Sequence, residues 1–134
     1  MAHLVLDSYS LLAYFRNEAG GEKVEQLLNE AVADKHVLHM TCINAGEVYY
    51  MAHSKDGADK AALVWKALQQ FPIHITEVDL VFTYKAAAIK ARYKLSYADA
   101  FAAALTIHKK ATLITGDSEF NNLARETNFK VKYL

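Results

Sequence analysis

Short β-prone apolar runs alternate with longer stretches of helical periodicity along the whole chain, and no other feature narrows the fold as much. The strand-like runs are "HLVL" from His3, "HVLHM" from His36, "IHITEV" from Ile73, "ATLIT" from Ala111 and "FKVKYL" from Phe129. Between them, Val24, Leu27, Leu28, Ala31 and Val32 mark one amphipathic helix after the break at Gly20 and Gly21. Ile43, Glu47, Tyr50 and Met51 mark a second, and Ala61, Val64, Leu68 and Phe71 mark a third that Pro72 stops. Leu80, Tyr84, Ala87 and Ala91 form a further stripe, "SYADAFAAALTIHKK" reads as another helix, and a short helical piece surrounds Asn121 and Leu123. Strands alternating with helices predict an α/β fold: a central, mostly parallel sheet covered on both faces, giving three layers. No repeat, linker or charge block interrupts residues 1–134, so a single domain is expected.

Composition bounds the partners. Fifteen basic residues balance fifteen acidic ones, so no global positive field draws in nucleic acid, and such binding must come from a local patch. The one cysteine, Cys42, has no intramolecular disulfide partner and reads as a small buried hydrophobe. "MAHLVLD" reaches an acid too early for a signal-peptide core, so a cytoplasmic location is expected. Runs such as "AAALTI" fall well short of the ~20 apolar residues of a membrane-spanning helix.

In open parallel sheets, ligands bind beyond the carboxyl ends of the strands. Asp7 follows "HLVL" and Asp117 follows "TLITG", so both acids are expected on that edge. Each is also well placed as a helix N-cap, and "SYAD" resembles a capping box ending at Asp99. The helix after Asp99 is apolar on every side and is expected to be buried, so this carboxylate needs a partner. Glu47 shares a stripe with Ile43, Tyr50 and Met51 and is expected to point toward the core, where an ion pair or a metal would satisfy it. If the four acids converge, each pair at ~5 Å repels by roughly 3 kcal/mol at an effective dielectric constant of ~20. A divalent cation relieves that repulsion, and an all-oxygen donor set selects Mg²⁺ or Mn²⁺ over zinc. Such an ion activates water and neutralises a phosphoryl oxygen, which points to phosphodiester hydrolysis.

These residues resemble the PIN-domain family, in particular the VapC-type toxins of toxin–antitoxin pairs, over essentially the whole chain. "LVLDSYSLLAYF" is similar to the opening motif and carries over Asp7 as a metal ligand with Ser8 beside it. "INAGEVYY" places the second acid at Glu47, and "KLSYADAFAAAL" the third at Asp99. "LITGDSEF" gives Asp117, with Thr115 and Ser118 as supports. The resemblance implies a five-stranded sheet in an α/β/α sandwich and Mg²⁺- or Mn²⁺-dependent endoribonuclease activity on single-stranded or structured RNA. It also implies a homodimer and a cognate antitoxin. Two positions depart from the pattern. Glu119 stands where family members often have Asp and is carried over as a fifth metal ligand, one whose longer side chain reaches the ion through water; Gly116 replaces a frequent Arg or Lys and removes a phosphate contact.

Arg92, Lys94 and Tyr97, with Lys85, Lys90 and Tyr93, offer a basic and aromatic rim leading to Asp99, although a solvated helix face explains the same residues. The histidines show no HExxH spacing; His36 and His39 fall on opposite faces of a strand, and all six are expected to be satisfied or on the surface. The alternatives to a toxin nuclease are a PIN scaffold that binds RNA or protein without cleaving, and a stand-alone RNA-processing nuclease. A phosphohydrolase of small esters lacks its expected glycine-rich cradle or Asp-x-Asp pair.

Overall fold

The computed structural model of the chain describes residues 1–127 and 129–134. The first apolar run forms β1 (Ala2–Leu6), followed by α1 (Ser8–Phe15) and α2 (Gly21–Val32). Then come β2 (His36–Thr41), α3 (Cys42–Asp56), α4 (Ala58–Gln70) and β3 (Ile73–Thr76). The chain continues through α5 (Leu80–Arg92), α6 (Tyr97–Lys109) and β4 (Thr112–Thr115). A 3-10 turn (Ser118–Phe120), α7 (Asn121–Glu126) and β5 (Lys130–Tyr133) complete it.

The five strands lie in the order β3-β2-β1-β4-β5. Every neighbouring pair is parallel, with Leu4 opposite Leu38 on one side and Thr112 on the other. From β1 the chain builds outward through β2 to β3, then returns to lay β4 against the free edge of β1. The direction of winding reverses between β1 and β4, and the crevice beyond their carboxyl ends is the switch point where open parallel sheets bind ligands.

Alternation along β1 supplies both faces. Leu6 packs with Leu38, Met40 and Ile114 against α1–α4, while Val5 packs with Leu113, Leu105 and Phe120 on the opposite side. The alanine-rich α6 is buried from Asp99 through Thr106 because it is enclosed on two sides. Ala102, Ala103 and Leu105 meet the sheet core, whereas Ala100, Phe101 and Ala104 meet Ala86, Phe82 and Ile89 of α5. Small side chains let three layers close around a helix with no solvent face.

Three expectations change. The stripe of Leu80 and Tyr84 faces outward, 84% and 75% exposed, and α5 instead buries Ala86 with Phe82, Ile89 and Tyr93 packed inward. Both faces of this helix are apolar enough that periodicity does not choose between them. Cys42, at the start of α3, is only half-buried. His39 is buried with Nδ1 unpartnered, while Nε2 meets His3 Nδ1 at 2.8 Å; His36 on the other face does find a partner, the Leu27 carbonyl at 2.9 Å.

Candidate metal centre

Asp7 directly follows β1, is fully buried, and caps α1. Its Oδ1 accepts from the Ser10 backbone N–H at 2.9 Å and the Ser10 hydroxyl at 3.0 Å, and Oδ2 accepts from the Thr115 hydroxyl. A carboxylate offers about four lone-pair directions, so one remains for a further ligand. The single Ser10 hydroxyl proton is shared between Asp7 and the Ile114 carbonyl, the latter at 2.6 Å, which ties the start of α1 to β4. Cap and site are therefore the same carboxylate.

Thr115, at the end of β4, links two of the acids. Its Oγ1 donates to Asp7 and accepts the Asp117 N–H at 3.0 Å. Asp117 Oδ1 in turn accepts the Glu119 N–H at 2.9 Å, which opens the 3-10 turn and brings the Glu119 side chain back beside it. On α6, Asp99 lies in the first turn, where its N–H donates to the Ser96 hydroxyl at 3.1 Å. Glu47, on α3, is half-buried; its carboxylate accepts from the Ser8 hydroxyl and, at 3.1 Å, from the Tyr50 hydroxyl. Tyr50 itself is 58% exposed, so Glu47 stands at the rim of the core rather than within it.

Carboxylate oxygens of Asp99, Asp117 and Glu119 all lie within 4.8 Å of one another. Asp7 and Glu47 lie outside that group, and their charges act on Asp99 from beyond it. Burial pushes the Asp99 carboxyl up to about 7, against a hydrogen bond with the Ser96 side chain, and the charges of Asp7, Asp117 and Glu47 push it further. Burial likewise raises Asp7 to about 6, opposed by its Thr115 and Ser10 hydrogen bonds and reinforced by the charge of Asp117. No cation enters either balance. The two ion pairs among the described residues both belong to Arg16, which faces Glu18 and Asp56. Oxygen donors in mutual repulsion are what a hard divalent cation neutralises, so these residues fit Mg²⁺ or Mn²⁺.

A family model described as "PIN domain" matches residues 4–126. The chain belongs to the PIN-domain family. Solved structures with a similar fold include VapBC2 from Rickettsia felis bound to a promoter DNA fragment, with a TM-score of 0.76 at 14% identity over 98% of each chain. Another is Mycobacterium tuberculosis VapC20, described as a sarcin-ricin loop cleaving toxin: TM-score 0.74, 16% identity, 90% of this chain and 94% of that one. VapBC-1 from nontypeable Haemophilus influenzae matches with a TM-score of 0.68 at 17% identity, over 98% of this chain and 97% of that one. No curated protein matches the sequence.

In this PIN domain, Ser8, expected beside Asp7, donates to Glu47, and Thr115, expected to support Asp117, donates to Asp7 and accepts the Asp117 N–H, whereas Ser118 is exposed and makes no side-chain hydrogen bond among the described residues. Glu119, the ligand expected to reach through water, brings a carboxylate oxygen within 4.8 Å of those of Asp99 and Asp117. Arg92 and Lys94 are exposed and leave no mark on the Asp99 charge balance; the Arg92 guanidinium lies 5.7 Å from the Tyr93 ring centre. Tyr97 is 47% exposed, two residues before Asp99. Sequence reasoning missed Ser10, whose signal was its place three residues after a capping Asp, and Asn44. Asn44 Nδ2 donates to the Ala98 carbonyl at 3.1 Å and so fixes α3, with Glu47, against the start of α6, with Asp99.

Proposed function

We propose that this PIN domain is a divalent-metal-dependent endoribonuclease and the toxin of a VapC-type toxin–antitoxin pair. The observation that carries the reading is the carboxylate cluster of Asp99, Asp117 and Glu119 with Asp7 and Glu47 beside it and no cation in the charge balance of its buried members. Asp99, Asp117 and Glu119 would hold Mg²⁺ or Mn²⁺, with Asp7 and Glu47 completing the set. When bound, such an ion lowers the pKa of water and stabilises charge developing on a phosphoryl oxygen.

The chain's own residues supply position and polarity. Thr115 and Ser10 orient Asp7, and Ser8 and Tyr50 clamp Glu47. Fixing carboxylates through neighbouring hydrogen bonds is how outer groups tune a metal site. Arg92, Lys94 and Tyr97 remain candidates for contact with RNA away from the carboxylates. The VapBC complexes among the similar folds support a cognate antitoxin as partner. The exposed apolar residues Leu80, Val81 and Tyr84 on α5 support a homodimer, which sedimentation measurements would test.

The decisive test is cleavage of labelled RNA with Mg²⁺ or Mn²⁺, comparing the wild type with Asp7→Asn and Asp99→Asn. Loss of cleavage in both variants is expected. Unchanged activity in both would remove the metal-site assignment, and turnover of a small aryl phosphate in preference to RNA would point to a different phosphohydrolase.

A further inference from the structure

Tyr9 stands two residues after Asp7, and Gly116 stands immediately before Asp117, so ring and glycine meet at the edge of the acidic crevice. A Cβ built on Gly116 would fall 2.1 Å from Tyr9 Cε1, 2.6 Å from Cζ and 2.7 Å from Cδ1. The ring therefore occupies the space that any side chain at position 116 would need. It is seated along that edge, yet Tyr9 remains 48% exposed. A half-open aromatic ring braced on backbone beside a catalytic crevice is a rigid platform, which loses little side-chain freedom on contact with a ligand.

The electrostatics define what such a platform would take. The charges acting on Asp7 and Asp99 are all negative, and the chain as a whole carries no net charge. Beside the ring, Arg16 and Lys55 line the same cleft, so backbone phosphates find charge there and the exposed ring face is left for a base. Stacking on an aromatic ring is worth roughly 1–3 kcal/mol per base and accepts every base, but only one that is not already stacked within a duplex. We propose that Tyr9, braced on Gly116, is a base-stacking subsite for an unpaired nucleobase adjacent to the scissile phosphate. This rests on the ribonuclease reading above and adds single-strandedness at that nucleotide as its requirement.

The test is binding of a 5′-fluorescent single-stranded oligoribonucleotide by anisotropy, with Ca²⁺ in place of Mg²⁺, while parallel samples with Mg²⁺ or Mn²⁺ report cleavage. Tyr9→Ala should weaken binding by about 5- to 150-fold, whereas Tyr9→Phe should stay within about twofold of wild type. On the wild-type protein, an abasic residue at one position should cause a similar loss, and that loss should vanish in Tyr9→Ala. This arm needs no stable variant. The subsite is overturned if Tyr9→Ala binds like wild type, if no abasic position matters, or if the single strand does not bind. Tyr9-dependent binding without cleavage would leave the subsite standing and remove the nuclease reading.

Discussion

Asp7→Asn separates a helix cap from a metal ligand. Asparagine keeps an oxygen for the Ser10 donors, and its amide can donate to Thr115 once that hydroxyl turns its proton away. What it removes is the charge. Folding raises the Asp7 carboxyl from 3.8 to about 6, chiefly by burial. The metal-free native state therefore binds this proton more tightly than the unfolded chain does. That contribution to stability is fully present below pH 3.8 and is lost as pH rises through 6. At about 1.36 kcal/mol per pH unit, the ionised group costs the folded state about 3 kcal/mol at pH 7.5. With about 4 °C per kcal/mol for a domain of this size, Asp7→Asn in EDTA should melt about 5–10 °C above wild type at pH 7.5, with reorientation of Thr115 taking part of the full effect. Near pH 4 the gain should disappear. Saturating Mn²⁺ should raise the wild-type melting temperature and leave the variant unchanged. Thermal unfolding at pH 4, 6 and 7.5 in EDTA and in Mn²⁺ tests each point. A variant destabilised equally at every pH, with an unaltered response to Mn²⁺, would show that Asp7 is a cap and nothing more.

Other predictions follow from the same hydrogen bonds and charges. Thr115→Val removes both the donor to Asp7 and the acceptor for the Asp117 N–H, and should lower Mn²⁺ affinity by about 10- to 100-fold by calorimetry while the fold persists by circular dichroism. Glu119→Gln should weaken Mn²⁺ binding, whereas Ser118→Ala, at an exposed position without a side-chain hydrogen bond, should not. His39 has the opposite pH sign to Asp7. Burial, with the charges of Lys109, His3 and His74, lowers it from 6.5 to about 4, so its stability contribution is present above pH 6.5 and lost as pH falls toward 4. His39→Asn should flatten that acid limb in chemical denaturation measured between pH 4 and 7.

Much of this was legible because the informative residues lie on short-range patterns. An apolar run followed by Asp places Asp7 and Asp117 at strand ends, and parallel topology then brings both to one edge. Asp99 was legible because an alanine-rich helix without a polar face leaves its acid nowhere to be solvated. The failures have equally definite causes. The inward face of α5 depends on which neighbours cover it, and its stripes of Leu80 with Tyr84 and of Phe82 with Ile89 are both apolar. The direct approach of Glu119 to Asp117 was not legible from side-chain length, because it depends on the 3-10 turn that folds it back. Contacts between elements distant in sequence, such as Ser10 of α1 to the Ile114 carbonyl of β4 or His3 of β1 to His39 of β2, depend on packing and register and leave no local trace.

Titration calorimetry with Mn²⁺, on the wild type and on Asp99→Asn, tests most directly whether the acidic crevice is a metal centre. Saturable wild-type binding that releases protons near pH 6, where Asp7 and Asp99 are partly protonated, and that is lost or strongly weakened in Asp99→Asn, is the result expected. No binding by the wild type, or equal binding by both proteins, would contradict it.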